Sequence, residues 1–152
     1  MVNEKYFQGG KDAKYLKGGK EISDAAAGLV GEFNKVEKNA YTKDGTELNK
    51  NATLPIDVMN IVYDFFVEKV MGLGKDMYGR LSDVGKRYIY NQFRNFYAQN
   101  KKMNELENLF KAKDKNAFEA AKPLAISAVA SMLQGSVAGS LDNLEDALGV
   151  AG

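Results

Sequence analysis

The chain contains no cysteine, no histidine and no tryptophan. Without histidine it lacks the side chain that normally titrates near neutral pH, and without cysteine it lacks a thiolate nucleophile, a disulfide and a soft-metal ligand. Serine–histidine and cysteine–histidine catalytic groups are therefore excluded, as are typical zinc sites. These absences predict a protein that is not an enzyme and that needs no metal or other cofactor.

A phosphate-binding loop is also missing. The dipeptide Gly74-Lys75 would belong to such a loop only with glycine at position 69 and serine or threonine at position 76. Those positions hold Lys69 and Asp76. The sequence therefore gives no indication of nucleotide binding.

Residues 1–20 contain no long apolar run. The first five residues are mostly polar, and the stretch after them is rich in glycine and lysine. A secretory signal needs an apolar segment of 7–15 residues. We therefore expect no signal peptide, and the predicted location is the cytoplasm or a virion assembled there.

The composition of the rest is ordinary for a globular protein, with 45% hydrophobic and 27% charged residues in a chain of 152. A chain of this length is typical of one domain and can bury a core without disulfides or metals. We predict a single helical domain over residues 22–152, preceded by an extended arm over residues 1–21.

Charge is unevenly distributed although the net charge is only +1. Residues 1–20 carry five lysines against two acids, and residues 75–102 carry seven basic side chains against two acidic ones. Residues 21–74 carry nine acidic side chains against five basic ones, and residues 103–152 carry seven against four. Blocks of alternating sign suit contacts between copies of the chain at least as well as contacts with nucleic acid.

The predicted arm contains a short repeat of an aromatic–apolar pair followed by two glycines and a lysine. The pairs are Tyr6-Phe7 and Tyr15-Leu16. Because paired glycines disfavour a continuous helix, one interpretation is a frayed leader. The other is an assembly arm whose large side chains anchor in grooves of a neighbouring subunit.

The remaining pattern predicts an all-α fold, an irregular bundle of four to six helices with little or no sheet. Apolar residues recur every three to four positions in several segments, separated by glycine, proline and turn signals. A polar loop over residues 39–54 includes the turn signal Asp44-Gly45. The predicted helices cover residues 23–38, 55–71, about 83–101, about 103–112, a segment from about 117 that proline at 123 should kink or restart, and 141–148.

The third predicted helix alternates basic and aromatic side chains. Its basic residues are candidates for contacting nucleic acid or an acidic protein partner, since they attract phosphate or carboxylate groups while aromatic rings can stack on bases. The alternative is a core face with solvated flanks. The basic residues are Lys86, Arg87, Arg94, Lys101 and Lys102, and the predicted core face consists of Val84, Tyr88, Ile89, Phe93, Phe96 and Tyr97.

A stretch without charge, residues 123–141, carries a small residue at every fourth position. Such spacing makes a smooth helix surface that another helix can approach closely. This seam would pack within the monomer, against other copies, or in a membrane. Its members are Ser127, Ser131, Gly135 and Gly139.

These features predict a structural subunit that packs with itself and with other structural proteins of the same assembly. A virion component, particularly of a bacterial virus, fits an arm, charge blocks and a compact helical body. Two alternatives remain: a nucleic-acid-binding protein that uses residues 86–102, and a membrane-active protein, ejected or pore-forming, that uses residues 124–139.

Overall fold

A computed structural model describes the backbone of residues 10–135 and the side chains of residues 24–133. Within this part of the chain the only pairing of extended backbone is an isolated bridge between Tyr41 and Leu48. The prediction of an all-α protein with little or no sheet is therefore confirmed for these residues. The α-helices are α1 Gly10–Ala40, α2 Leu54–Phe65, α3 Lys75–Gly79, α4 Asp83–Gln99, α5 Leu106–Phe110 and α6 Lys115–Ala130.

The first helix begins at Gly10, whereas the sequence predicts its start near Ser23. Lysine, alanine and leucine favour helix strongly enough to tolerate the pair Gly18-Gly19, although each glycine costs about 1 kcal/mol. Residues 1–9 and the side chains of Tyr15 and Leu16 lie outside the described residues, as do residues 141–148. The structure gives residues 10–21 as part of α1 rather than as an extended segment, whereas the anchoring role of the arm stays a prediction.

The loop after α1 closes as the Asp44-Gly45 signal predicts. Gly45 adopts a φ of 75°, which only glycine reaches without strain, and its carbonyl accepts a hydrogen bond from the N–H of Lys115 at 2.8 Å. The buried phenol of Tyr41 donates to the carbonyl of Ala112 at 2.7 Å. These two bonds attach the loop to the start of α6.

A Tyr41→Phe variant tests this attachment. It leaves the buried Ala112 carbonyl without its donor, so the free energy of unfolding at neutral pH should fall by about 0.5–1.5 kcal/mol. Urea denaturation measures the change. Tyr88→Phe, on an exposed tyrosine, should change it little.

The same variant also has a signature at alkaline pH. Burial raises the pKa of Tyr41 to about 12, and the carboxylates of Glu37 and Asp114 add to the shift. The folded chain therefore keeps a proton that the unfolded chain releases above pH 10, so stability decreases as the pH rises from 10 towards 12. Tyr41→Phe should lose less stability over this window than wild type. An equal or larger loss would contradict the assignment.

The second helix continues into a π-helical turn, Phe66–Val70. An α-helix turns about 100° per residue and rarely buries three large neighbours in a row, yet Phe65, Phe66 and Val67 are all buried. The wider turn, closed by a bond from the N–H of Met71 to the carbonyl of Phe66 at 2.9 Å, accommodates them. Gly72, with a φ of 73°, then ends the helix as its sequence predicts.

Two of the later helices begin at side-chain caps. Ser82 accepts a hydrogen bond from the N–H of Gly85 at 3.0 Å and caps α4. Asp114 accepts from the N–H of Ala117 at 2.7 Å and caps α6.

The predicted helix over 103–112 is divided into a 3₁₀ turn, Lys101–Glu105, and α5. Of the two outcomes predicted at Pro123, a kink or a restart, the restart does not occur, because α6 runs through that residue.

Helices α1 and α6 are joined by a largely buried charge network centred on Lys122. Its ammonium group lies 3.2 Å from Oε1 of Glu37, 2.6 Å from Oε2 of Glu119 and 2.7 Å from Oδ1 of Asn34. Burial alone would lower the pKa of Lys122, but the hydrogen bonds and the attraction of the two carboxylates outweigh it and raise the pKa. Lys122 therefore stays charged and holds the two helices in register.

Replacing Lys122 by methionine should be strongly destabilising. The side chains of Lys122 and Glu37 are only 14% and 7% exposed, so the variant leaves a buried carboxylate without a cation. We expect a loss of about 3–5 kcal/mol in the free energy of unfolding, measured by urea denaturation. Lys35→Met, which breaks the exposed pair with Glu32, should cost less than about 1 kcal/mol. If Lys122→Met and Lys35→Met lowered the free energy of unfolding equally, the buried network would stabilise the fold no more than the exposed ion pair does.

Candidate interaction surfaces

The orientation of α4 is set by an aromatic cluster between this helix and α2. The buried ring of Phe93 lies 5.2 Å from the ring of Tyr63 and 5.4 Å from that of Phe66, measured between centroids. It also contacts Tyr90 and Tyr97 on its own helix. Ring pairs at these distances add to the free energy gained by burial, so Phe93 is the central contact of the cluster.

A polar contact at the edge of the cluster attaches α3. The hydroxyl groups of Tyr63 and Tyr78 lie 2.9 Å apart, and the ammonium group of Lys86 sits 5.7 Å from the centre of the Tyr78 ring. Burial, followed by the hydrogen bond to Tyr78, raises the pKa of Tyr63 well above its usual value. The Tyr63 phenol is therefore held neutral as a structural group.

The outer side of α4 combines arginines with large apolar groups. Val84 is 66% exposed, Tyr90 50% and Tyr88 38%, and the two arginines, Arg87 and Arg94, are also exposed. The helix contains one acidic residue, at its first position, against three basic ones. We call the surface formed by these five exposed residues the arginine face.

Two residues of this face were predicted to lie in the core, and that prediction is wrong. The buried positions of α4 are Gly85, Ile89 and Phe93, and each helix position is rotated about 100° from the one before. Val84 and Tyr88 each precede one of these buried positions by one residue. Their side chains are therefore turned about 100° away from the buried row and point outwards. In the sequence, the small residue Gly85 indicates which side of α4 faces the core.

The five basic residues predicted to act together do not form one stripe. Arg87 and Arg94 share the arginine face, and Lys86 lies at its edge beside Tyr78. Lys101 and Lys102 are exposed but belong to the 3₁₀ turn, because Asn100 leaves the helical conformation and its side chain accepts from the N–H of Lys102 at 3.0 Å. The structure therefore separates these two lysines from the arginines.

The predicted small-residue seam is only partly described. Ser127 is exposed, whereas Ser131 is half-buried and donates to the carbonyl of Ala128 at 2.6 Å. The helix ends at Ala130 and continues as a 3₁₀ turn, Ser131–Gly135, whose residues are spaced by about 120° instead of 100°. Gly139 lies outside the described residues. Ala125 and Ala128 are buried in the bundle, and the half-buried Ser131 accepts a hydrogen bond from the side chain of Asn100 at 3.5 Å.

A second surface, which the sequence did not reveal as a site, is a groove of about 570 Å³ between α1 and α2. Four carboxylates line it against two lysines, Lys69 and Lys75. We call it the acidic groove. Its carboxylates are those of Asp24 and Glu32 on α1, Asp64 on α2 and Glu68 on the π-helical turn.

The carboxylates of the groove interact electrostatically. Partial burial raises the pKa of Asp64, Lys75 opposes that shift, and the like charges of Glu32 and Glu68 add to it. No group of three or more acidic side chains in the described part of the chain is arranged to hold a metal ion. The groove is therefore a region in which negative charge exceeds positive charge.

The floor of the groove is apolar. Ala25, Leu29 and Phe65 are buried beneath it, and Ile61 and Leu133 are half-buried at its sides. Gly28 lines the groove beside open space, since a Cβ atom added there would meet no atom within 4 Å. The sequence signals were the acidic block over residues 21–74 and the spacing of eight between Asp24 and Glu32, which places both on one side of a helix.

Comparison of the chain with protein-family models, with curated proteins and with solved structures gives no match. The interpretation of the two surfaces therefore depends on their geometry and chemistry.

Removing the central ring of the aromatic cluster should release α4. Phe93→Ala takes away a buried phenyl ring with four ring neighbours, so we expect a loss of about 3–5 kcal/mol in the free energy of unfolding, measured by urea denaturation. Tyr88→Ala, on the exposed side of the same helix, should cost less than about 1 kcal/mol. If Phe93→Ala lowered the free energy of unfolding only slightly, other contacts would fix the orientation of α4.

Proposed function

We propose that the chain is a non-enzymatic structural subunit that packs with copies of itself and with other structural proteins of a larger particle. The observation that carries this proposal is the arginine face. Val84, Tyr88 and Tyr90 expose apolar area around Arg87 and Arg94, and tyrosine and arginine are the residues most enriched at the energetic centres of protein interfaces. The class of particle is the one that the sequence suggests, a virion of a bacterial virus.

A protein partner fits this face better than a nucleic acid does. Neutralising a phosphate backbone usually takes several basic side chains along one track, and this face presents two exposed arginines with an exposed valine beside them. Lys101 and Lys102, which would lengthen the track, lie on a separate turn. Nucleic-acid binding remains the second candidate function, since arginine and tyrosine side chains also contact phosphates and bases.

A membrane-active role has less support. Among the described residues, no helix is both long enough and apolar enough to cross a bilayer. The uncharged stretch predicted for this role begins in α6, whose buried residues Ala125, Ala128 and Val129 pack into the bundle core.

Removing the two arginine charges tests the proposal. In sedimentation velocity over a concentration series, wild type should self-associate, and Arg87→Gln/Arg94→Gln should weaken that association at least about tenfold, because central interface arginines commonly contribute more than 1 kcal/mol each. Both residues are exposed, so the helical content should stay unchanged.

The matched control is Lys50→Gln/Lys113→Gln, which removes the same charge from exposed sites elsewhere and should associate like wild type. A strictly monomeric wild type that binds DNA, with an affinity that falls by about 0.9 log units per contact and per tenfold rise in salt, would favour the nucleic-acid function instead.

A further inference from the structure

The two surfaces have opposite charge and come from neighbouring blocks of the sequence. Residues 21–74, with nine acidic side chains against five basic ones, supply nearly all of the acidic groove. Residues 75–102, with seven basic side chains against two acidic ones, supply α4 and its arginine face. Each surface therefore offers the charge that the other lacks.

Their dimensions also correspond. Arg87 and Arg94 are seven residues apart on one helix, which is about 10 Å along its axis. Asp24 and Glu32 are eight residues apart on the wall of the groove, which is about 12 Å. A helix laid along α1 can therefore set both arginines opposite carboxylates.

The apolar parts match as well. The groove presents the half-buried Ile61 and Leu133 beside a floor of buried apolar residues, and the arginine face carries Val84 and two tyrosines. An interface with an apolar centre and charged pairs at its rim is the common arrangement in protein complexes. Bringing arginines to the rim would also balance the repulsion among Glu32, Asp64 and Glu68.

We propose that the arginine face of one copy docks in the acidic groove of a second copy. This inference rests on the proposed function, since it names the contact through which the subunits pack. The occupant of the groove is α4 of the second copy, with Arg87 and Arg94 paired to the carboxylates of the two groove walls.

Filling the groove without touching its charges is the first test. Gly28→Leu places a side chain in open space above the groove floor, so the monomer should fold normally while docking is blocked. Gly31→Leu is the matched control, because it lies in the same helix, also meets no atom within 4 Å and does not line the groove. In sedimentation velocity, Gly28→Leu should associate at least about tenfold more weakly than wild type, and Gly31→Leu should associate like wild type.

Exchanging the charges of the two surfaces is the second test. Arg87→Glu/Arg94→Glu gives a copy with two acidic surfaces, and Asp24→Lys/Glu32→Lys gives a copy with two basic ones. Each variant alone should stay monomeric, since like charges meet in every contact between copies. An equimolar mixture should associate, because each contact then joins surfaces of opposite charge.

The outcomes separate this inference from the proposed function. If wild type associates but Gly28→Leu associates equally well, or if the charge-exchanged mixture stays monomeric, the docking inference is overturned while the assembly function stands. A wild type that never associates at any concentration overturns both. Weakening by Gly28→Leu but not by Gly31→Leu, together with rescue in the mixture, supports the docking contact.

Discussion

The packing of Phe93 against Tyr63 and Phe66 is the contact on which the surface of this protein depends. It fixes the rotation of α4 about its own axis, with the row of Gly85, Ile89 and Phe93 turned inwards. Once that row is buried, the helix must present its arginines, a valine and two tyrosines to the outside. The same cluster reaches α3 through the Tyr63–Tyr78 hydrogen bond, so one set of rings positions three helices.

The acidic groove has a separate structural origin. The Lys122 network holds α1 against α6, and the junction of α2 with the π-helical turn buries three consecutive large residues while leaving Glu68 exposed at the groove. Negative charge is therefore in excess at the groove between α1 and α2, and positive charge is in excess on α4. A chain with almost no net charge can in this way carry two complementary surfaces, which favours ordered association over nonspecific adhesion.

The sequence predicted the helical class, the start of α4 near residue 83, the turn at Gly45 and the helix end at Gly72, because each depends on a local preference of a few residues. The sequence pattern placed Val84 and Tyr88 in the core, because apolar periodicity does not distinguish their side of the helix from the adjacent row of Gly85, Ile89 and Phe93. Only the packing of Phe93 decides which of the two rows is buried. The sequence pattern missed the groove, since Asp24 and Asp64 come together only when α1 and α2 pack. It also joined Lys101 and Lys102 to the arginines, because nothing in the composition reveals the break at Asn100.

The most direct measurement is zero-length cross-linking of a mixture of isotopically light and heavy copies. In an Arg87→Lys variant, which keeps the charge and provides an amine for coupling, the associated protein should yield peptides joining position 87 to Asp24, Glu32, Asp64 or Glu68. These pairs should combine one light and one heavy copy, which marks a contact between molecules. Associated protein in which position 87 forms no light–heavy pair with any of these carboxylates would contradict the account.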